Sequence, residues 1–274
     1  MAIASIRPAA VAGQFYPADE RVLRTQLGEM LTAAVPLETM VSPKAVIVPH
    51  AGYVYSGAVA ATAYAGLAAL RDQIERVVLL GPNHRLAVDG FALPAAQAFA
   101  TPLGTVTVDR PSWLALQQRG DVVVDDRPHA YEHCLEVQLP FLQTVFDHFT
   151  LLPLLVGDAS TEAVAEVLES LWGGPETLIV ISSDLSHYHP YHQAQWKDRA
   201  TIEHILGLHA DLSHDQACGA TPVNGLIQCA RRHHLQAHLL DLRNSGDTAG
   251  DRNRVVGYAS IAFCDPVPHA SQHH

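Results

Sequence analysis

The 274-residue sequence is poor in basic residues. It has 17 Lys and Arg against 28 Asp and Glu, which gives a formal net charge of -11 at pH 7. The basic residues are scattered rather than clustered, so they form no positive stripe that could follow a phosphate backbone. We therefore expect no nucleic-acid partner.

The sequence also lacks paired cysteines and an apolar leader. Its four cysteines, Cys134, Cys218, Cys229 and Cys264, form no CxxC pair, which favours reduced thiols in a chain too large to need disulfides. The start, MAIASIRPAAVAGQFYP, has no charged segment followed by an apolar block and no run long enough to cross a bilayer. We expect a cytoplasmic protein that does not associate with membranes.

Linkers, internal repeats and low-complexity tracts are missing as well. With 48% hydrophobic residues the chain can bury a full core, and its length suits one large domain. We therefore predict a single domain over residues 1–274.

Short apolar runs alternate with segments of helical spacing along the chain. The runs that read as buried parallel strands are AVIVP (45–49), RVVLLG (76–81), LLPLLVG (151–157), TLIVISS (177–183) and VVGYASIAF (255–263). The segments 57–70, with Ser56 as N-cap, and 161–171 have the spacing of helices. This alternation predicts an α/β fold, a mostly parallel central sheet covered by helices on both faces. The stretch 91–109 predicts short extra strands, as a hairpin or a sheet edge.

Histidine is abundant, with 17 residues, and several histidines directly follow predicted strands. His50 follows AVIVP, His84 belongs to GPNH, and SSDLSHYH supplies Asp184 and His187. Each alone could be a helix cap or a polar loop residue. Parallel strands end at one edge of a sheet, however, so these groups are expected to converge there. Two histidines and a carboxylate with open positions would favour non-haem Fe(II).

A second histidine pattern offers an alternative site. The sequence HAYEH, with His129, Glu132 and His133, fits the H-x-x-E-H motif of inverted zinc peptidases. Pro128 favours a helix start just before it, which would place both histidines on one helix face. Pro140 would interrupt that helix soon afterwards. The peptidase hypothesis also leaves His50 without a role.

Taken together, these segments resemble the Memo family, called the B component of the AmmeMemoRadiSam system in prokaryotes. The matching motifs are YPAD, VPHAGYVYSG, GPNH, ATPLGTV, YEHCLEVQLPFL, LLPLLVG, SSDLSHY, ACGATPVNG and RVVGYASIAF. The resemblance runs from about residue 6 to 264, which leaves 265–274 as a predicted flexible tail.

The resemblance implies a single domain similar to the class III extradiol dioxygenases, with a pocket at one sheet edge. It further implies that one metal ion is bound by His50, His84 and Cys218, where the oxygenases use two histidines and a glutamate. A thiolate makes such a site softer and shifts its preference toward Cu(I), Zn(II) or thiolate-bound iron. Of these metals iron is expected first, with copper or zinc as alternatives. Cys218 on its own could equally be a small buried apolar residue.

The remaining residues of these motifs receive roles around the metal. Asp184 would complete or orient the ligand set. His187 and His133 are candidate acid or base groups, because imidazole exchanges protons near neutral pH, and Glu132 would hold one of them in place. The loop 244–254 is first a flexible turn, and alternatively a lid over the pocket in which Asp247 or Arg254 contacts substrate.

Two classes of function follow from these assignments. The first is an oxygenase-type redox enzyme acting on a small organic substrate through iron or copper. The second is a non-catalytic binding or metal-handling module that keeps the pocket for a peptide or protein, including a radical-SAM partner of the same system.

Overall fold

The structure is a computed structural model that describes residues 5–35 and 42–266. Residues 267–274 of the predicted tail lie outside the described residues. The strands are β1 Ile6–Arg7, β2 Ala45–Val48, β3 Arg76–Pro82, β4 Phe91–Leu93, β5 Ala98–Thr101, β6 Gly104–Thr107, β7 Val122–Val124, β8 Thr150–Val156, β9 Thr177–Ser182, β10 His187–His189, β11 Gln236–Asn244 and β12 Val255–Cys264. The helices are α1 Glu20–Ala33, α2 Ala58–Gly66, α3 Arg110–Leu116, α4 Arg127–Ala130, α5 Leu139–Val145, α6 Thr161–Leu171, α7 Tyr191–Leu206 and α8 Ala220–Arg232.

The main sheet has the strand order β10-β12-β2-β9-β3-β8-β4-β7, and β11 also pairs with β12. Its centre, β2, β9, β3 and β8, is parallel. These strands are apolar almost throughout because both of their faces are covered, and every residue of β2 and β9 is buried. The α/β class and the single central sheet flanked by helices are as predicted.

Helices cover both faces of this sheet. The Ser260 hydroxyl of β12 donates to the Val59 carbonyl of α2, whereas Gly257 of the same strand packs against Asp198 of α7. Residues three apart in a strand project from opposite faces, so α2 and α7 lie on different sides of the sheet.

The direction of β12 corrects one prediction. The run 255–263 was expected to be one more parallel strand, but β12 is antiparallel to β2. Its neighbours β10 and β11 are antiparallel to it too, so the sheet is antiparallel on this side of its parallel centre. A buried strand reads as the same apolar run in either direction, and the sequence pattern therefore does not distinguish the two. Because β12 is antiparallel, it begins at the edge where β2 ends.

The helix predicted over 57–70 is irregular at both ends. The chain already coils at Tyr53–Gly57 in a π turn, continues as α2, and finishes in a 3₁₀ turn at Leu67–Leu70. Ser56 is therefore not an N-cap, and its hydroxyl donates to the Ala51 carbonyl at 3.0 Å. The segment Tyr53–Leu70 is long and apolar enough to span a bilayer, but 61% of it is buried within the protein, where it packs as a core helix.

The remaining helix and hairpin predictions are confirmed where the structure describes them. Helix α6 has the bounds predicted for it, because Ser160 caps it by accepting from the Ala163 amide. The stretch 91–109 contains β4 and the antiparallel hairpin of β5 and β6. Strand β1 pairs with β5 and brings the N-terminal segment to this small sheet.

Candidate metal centre

Three imidazoles from separate segments meet at the carboxyl edge of the parallel strands. His50 follows β2, His84 follows β3, and His133 lies between α4 and α5. Their ring centroids are 5.0 to 5.3 Å apart, and each ring offers a nitrogen within 4.8 Å of the others. The predicted convergence of strand-end histidines is therefore present in the structure.

A chain of hydrogen bonds fixes the tautomer of His50. The Ser182 hydroxyl donates its single proton to the Cys134 carbonyl at 2.6 Å, so the Nδ1 of His50, 3.0 Å from the same oxygen, must be the donor in that contact. Gln138 also donates to Ser182, at 2.9 Å, and to the Pro49 carbonyl. The lone pair of His50 is consequently on Nε2, as a metal ligand requires.

Glu132 orients the other two histidines. One carboxylate oxygen accepts from the His84 ring at 2.9 Å and from the amides of His133 and Cys134, and the other accepts from the His84 amide at 2.7 Å. Burial alone would raise the pKa of Glu132, but the hydrogen bonds from His133 and His84 hold it well below its usual range. The charged carboxylate therefore accepts a hydrogen bond from Nδ1–H of His84, which leaves the lone pair of that ring on Nε2.

The ring of His133 is less completely held. Its Nδ1 lies 3.2 Å from Glu132 but without hydrogen-bond geometry, and it is buried without a partner. Phe15 packs on this ring, with centroids 4.7 Å apart. An unpartnered ring nitrogen, next to two imidazoles with fixed tautomers, fits a metal ion held by these three residues.

Cys218 lies beside this cluster, in the turn before α8. Its Sγ is 3.3 Å from Nε2 of His50, and two ligands of one ion are at most about 4.4 Å apart at ordinary bond lengths. Burial, reinforced by the charge of Asp184, raises the pKa of the Cys218 thiol to about 12. The thiol is thus neutral in the protein alone, and a cation would have to stabilise the thiolate. Cys218 as a ligand remains a prediction.

A second group of donors overlaps with the first. The ligand atoms of His84, Glu132 and Cys134 also lie within 4.8 Å of one another. Cys134, however, is fully buried and donates to the Pro82 carbonyl at 3.1 Å, and burial raises the pKa of its thiol well above its usual value. We therefore regard the three imidazoles as the candidate metal centre, and Glu132 as a residue that holds His84 and His133 in place.

Asp184 and His187 occupy different positions around the cluster. The Asp184 carboxylate accepts from the His50 amide at 2.7 Å and lies 3.9 Å from Nε2 of His50. Burial lowers the pKa of His50 to about 4, although the Asp184 charge opposes this shift. His187, on β10, lines the same pocket but is not one of the three clustered imidazoles. Its acid or base role remains a prediction.

The cluster opens into a pocket of about 740 Å³. Aromatic walls, two arginines and the segment before β12 surround it. The lining residues used below are Phe15, Tyr55, Arg85, Tyr188, Asp251, Arg254 and Tyr258. The loop 244–254 therefore does border the pocket, because antiparallel β12 begins at this edge.

Asp247 faces away from the pocket, unlike Arg254. It forms a short capping turn, in which one carboxylate oxygen accepts from the Asn244 amide at 2.9 Å and the other accepts from the Tyr191 hydroxyl. Of the two residues predicted to contact substrate from this loop, only Arg254 lines the pocket.

The alternative zinc site of the HAYEH motif is not formed. Helix α4 ends at Ala130, so His129 and His133 do not share a helix face. His129 is buried and donates from Nε2 to the Ala92 carbonyl at 3.0 Å, whereas His133 joins the imidazole cluster. The prediction of one helix across the motif was wrong because the chain leaves α4 before the second histidine.

Sequence reasoning missed two residues that orient the cluster, Ser182 and Gln138. Both lie inside motifs that were noticed, SSDLSHY and YEHCLEVQLPFL. Their role depends on β9 and the start of α5 lying beside the end of β2, and only the folded chain reveals that proximity.

Comparison with known proteins agrees with this architecture. The family model described as "Memo-like protein" matches residues 7–262. Proteins named "MEMO1 family protein" from Sulfolobus acidocaldarius, Methanopyrus kandleri and Aquifex aeolicus are 34%, 39% and 36% identical to the chain. The alignments cover 95%, 94% and 94% of this chain and 100%, 98% and 99% of the relatives. The fold and the clustered imidazoles are consistent with this similarity. Because the similarity extends along nearly its whole length, the chain belongs to the Memo family.

Proposed function

We propose that this protein is a metal-dependent redox enzyme of the oxygenase type, acting on a small organic molecule. The observation that carries the proposal is the cluster of His50, His84 and His133 at the wall of an accessible pocket. Two of the three rings have Nδ1 bonded to a protein oxygen, which leaves on Nε2 the lone pair that a metal ligand needs. Buried histidines that serve only packing have no need for this arrangement.

Each residue near the cluster has a separate task in this proposal. The three imidazoles hold the ion, Glu132 orients His84 and His133, and Cys218 stands beside His50 as a further ligand. A bound redox metal supplies electron transfer between dioxygen and substrate. Imidazole ligands suit iron, copper and zinc alike, but only iron and copper are redox-active. Of these two, iron is our first choice.

The protein groups that face the pocket would handle protons and water. His187 is half-buried in the pocket wall, where its ring could accept the proton of a substrate hydroxyl. Phe15 covers His133 and limits the access of water to the cluster from that side. All four cysteines are free, which is compatible with the predicted cytoplasmic location. The radical-SAM partner stays a prediction.

The test begins with metal-free protein loaded anaerobically with Fe(II), Cu(I) or Zn(II). We expect about one ion per chain, and oxygen uptake by the iron or copper form with members of a catechol panel. His50→Ala should lose both the ion and the oxygen uptake. His233→Ala, a histidine remote from the cluster, is the matched control and should retain both.

Two results would contradict the proposal. Unchanged metal content in His50→Ala would remove the imidazole cluster as the metal centre. Stoichiometric metal binding without oxygen uptake for any metal and any catechol would favour the metal-handling alternative over the enzyme.

A further inference from the structure

Two guanidinium groups line the pocket beside the metal centre. Arg85 is the residue directly after His84, and Arg254 precedes β12. Val256 and Tyr258 are spaced two apart on β12 and so share the strand face that forms the pocket wall, and Arg254, just before the strand, lines the same pocket. In a chain with a net charge of -11, two cationic side chains are thus placed around one pocket.

Neither arginine forms an ion pair within the part of the chain that the structure describes. Among the described residues, no carboxylate oxygen lies within 4.0 Å of either guanidinium, whereas Arg119 and Arg127 each pair with a neighbouring aspartate. The Arg254 guanidinium instead lies over the Tyr188 ring, 5.0 Å from its centroid. Such stacking orients a guanidinium while leaving its N–H donors free for a ligand.

The charge around these arginines favours one negative charge on the ligand. Asp251 also lines the pocket and accepts from the Asn253 amide at 2.7 Å. Asp184, the other carboxylate of the lining, accepts from the His50 amide beside the imidazoles. Apart from Asp184, the lining carries two guanidinium groups and one carboxylate, which leaves a single net positive charge. A carboxylate matches that charge and the paired donors of arginine, whereas a phosphate monoester would bring about two negative charges.

The other walls of the pocket suit a planar ring. Phe15, Tyr55, Tyr188 and Tyr258 all contribute to its lining. Aromatic side chains bind flat rings through offset or edge-to-face contacts, and a volume of about 740 Å³ is within the range of small-molecule sites.

We infer that the substrate is a small hydroxylated aromatic carboxylic acid. Its carboxylate is bound by Arg85 and Arg254, and its hydroxyl end faces the three imidazoles. This inference rests on the proposed function for the chemistry at the metal, but the recognition of the carboxylate depends only on the arginines.

The test compares two probes that differ only in charge, 3,4-dihydroxybenzoate and 3,4-dihydroxybenzamide. Their dissociation constants are measured by calorimetry without oxygen, in both metal-free and Zn(II)-loaded protein. We expect the acid to bind about tenfold more tightly than the amide. The double variant R85Q/R254Q should lose this preference and keep its affinity for the amide.

Two further variants control for general charge effects. R252Q removes a neighbouring arginine that lies over Tyr191 and outside the pocket lining, and it should keep the tenfold preference. D251N removes the opposing carboxylate and should increase that preference.

Equal binding of the two probes by the unmodified protein would overturn the inference, as would a preference that persists in R85Q/R254Q or binding of neither probe. A failure of the proposed function gives a different pattern. The metal-free protein still binds the acid more tightly than the amide, but oxygen uptake is absent.

Discussion

The histidines at the two ends of the parallel strands differ in how their rings are bonded. At the amino end, His233 stacks on Trp172 with centroids 4.0 Å apart, and its Nε2 lies 2.8 Å from Glu169. Lys44, just before β2, is also satisfied, since its ammonium donates to two carbonyls at 2.8 and 2.9 Å. At the carboxyl end, Nδ1 of His50 and of His84 is bonded to an oxygen of Ser182 and Glu132, respectively, and Nε2 of His50 lies 3.3 Å from the Cys218 sulfur.

This difference teaches how to recognise a functional histidine in a chain that has many of them. The ring of His233 stacks on Trp172 and pairs with Glu169, whereas the hydrogen bonds at His50 and His84 orient the rings through Nδ1 and leave the lone pair on Nε2. What distinguishes the candidate site is therefore a ring nitrogen that keeps its lone pair beside other donor atoms, rather than the number of histidines or the presence of a nearby carboxylate.

The largest expected effect contrasts the glutamates at the two ends. Glu132→Gln should lower the free energy of unfolding by about 3–5 kcal/mol, because it removes a buried charge that accepts from the His84 ring and from three amides. Glu169→Gln should cost less than about 1 kcal/mol, since its pair with His233 is partly exposed. Urea unfolding of the metal-free variants measures both values, and equal losses would refute the contrast.

The next effect extends the comparison to a histidine that is buried but lies outside the cluster. Burial lowers the pKa of His129 from 6.5 to about 4. His129 therefore binds a proton below about pH 6.5 in the unfolded chain, but only below about pH 4 in the folded protein. The stability contributed by the neutral ring is complete above pH 6.5 and is lost as the pH falls toward 4, by about 3 kcal/mol in total.

His129→Gln should flatten this pH dependence, because an amide can still donate to the Ala92 carbonyl but does not titrate. Urea unfolding between about pH 4 and pH 8 measures the slope. The difference between variant and parent at the high-pH end gives the packing cost alone. A variant whose stability falls as steeply as that of the parent would show that His129 does not contribute.

The smallest effect concerns the residue that fixes the tautomer of His50. Ser182→Ala removes the oxygen to which Nδ1 of His50 donates, and metal affinity should fall by about 10- to 100-fold. The matched control is Ser170→Ala, whose hydroxyl only donates to the Val167 carbonyl within α6. Titration against a competing chelator measures the affinities, and a Ser182 variant that binds as tightly as the control would contradict the role.

Much of this site could be predicted from the sequence, for a definite physical reason. Apolar runs followed by His50, His84 and Asp184 indicate parallel strands, and parallel strands deliver their ends to one edge. The entry of His133 into the imidazole cluster could not be predicted, because it depends on how the chain between α4 and α5 turns back toward that edge.

The direction of β12 could not be predicted from the sequence either. Its apolar sequence fits a parallel or an antiparallel neighbour of β2, and only the antiparallel one brings Arg254 to the pocket. The same limit applies to Ser182 and Gln138, whose importance arises from a neighbouring strand and helix rather than from their own sequence spacing.

The antiparallel course of β12 also has a consequence for biosynthesis. This strand is inserted between β2 and β11, and it carries the final wall of the pocket, Val256 and Tyr258. A ribosome-bound chain that has emerged only as far as β11 already contains the three imidazoles, but it still lacks the pocket wall that β12 supplies. Pairing of the ten-residue strand β12 therefore completes both the main sheet and the wall of the pocket.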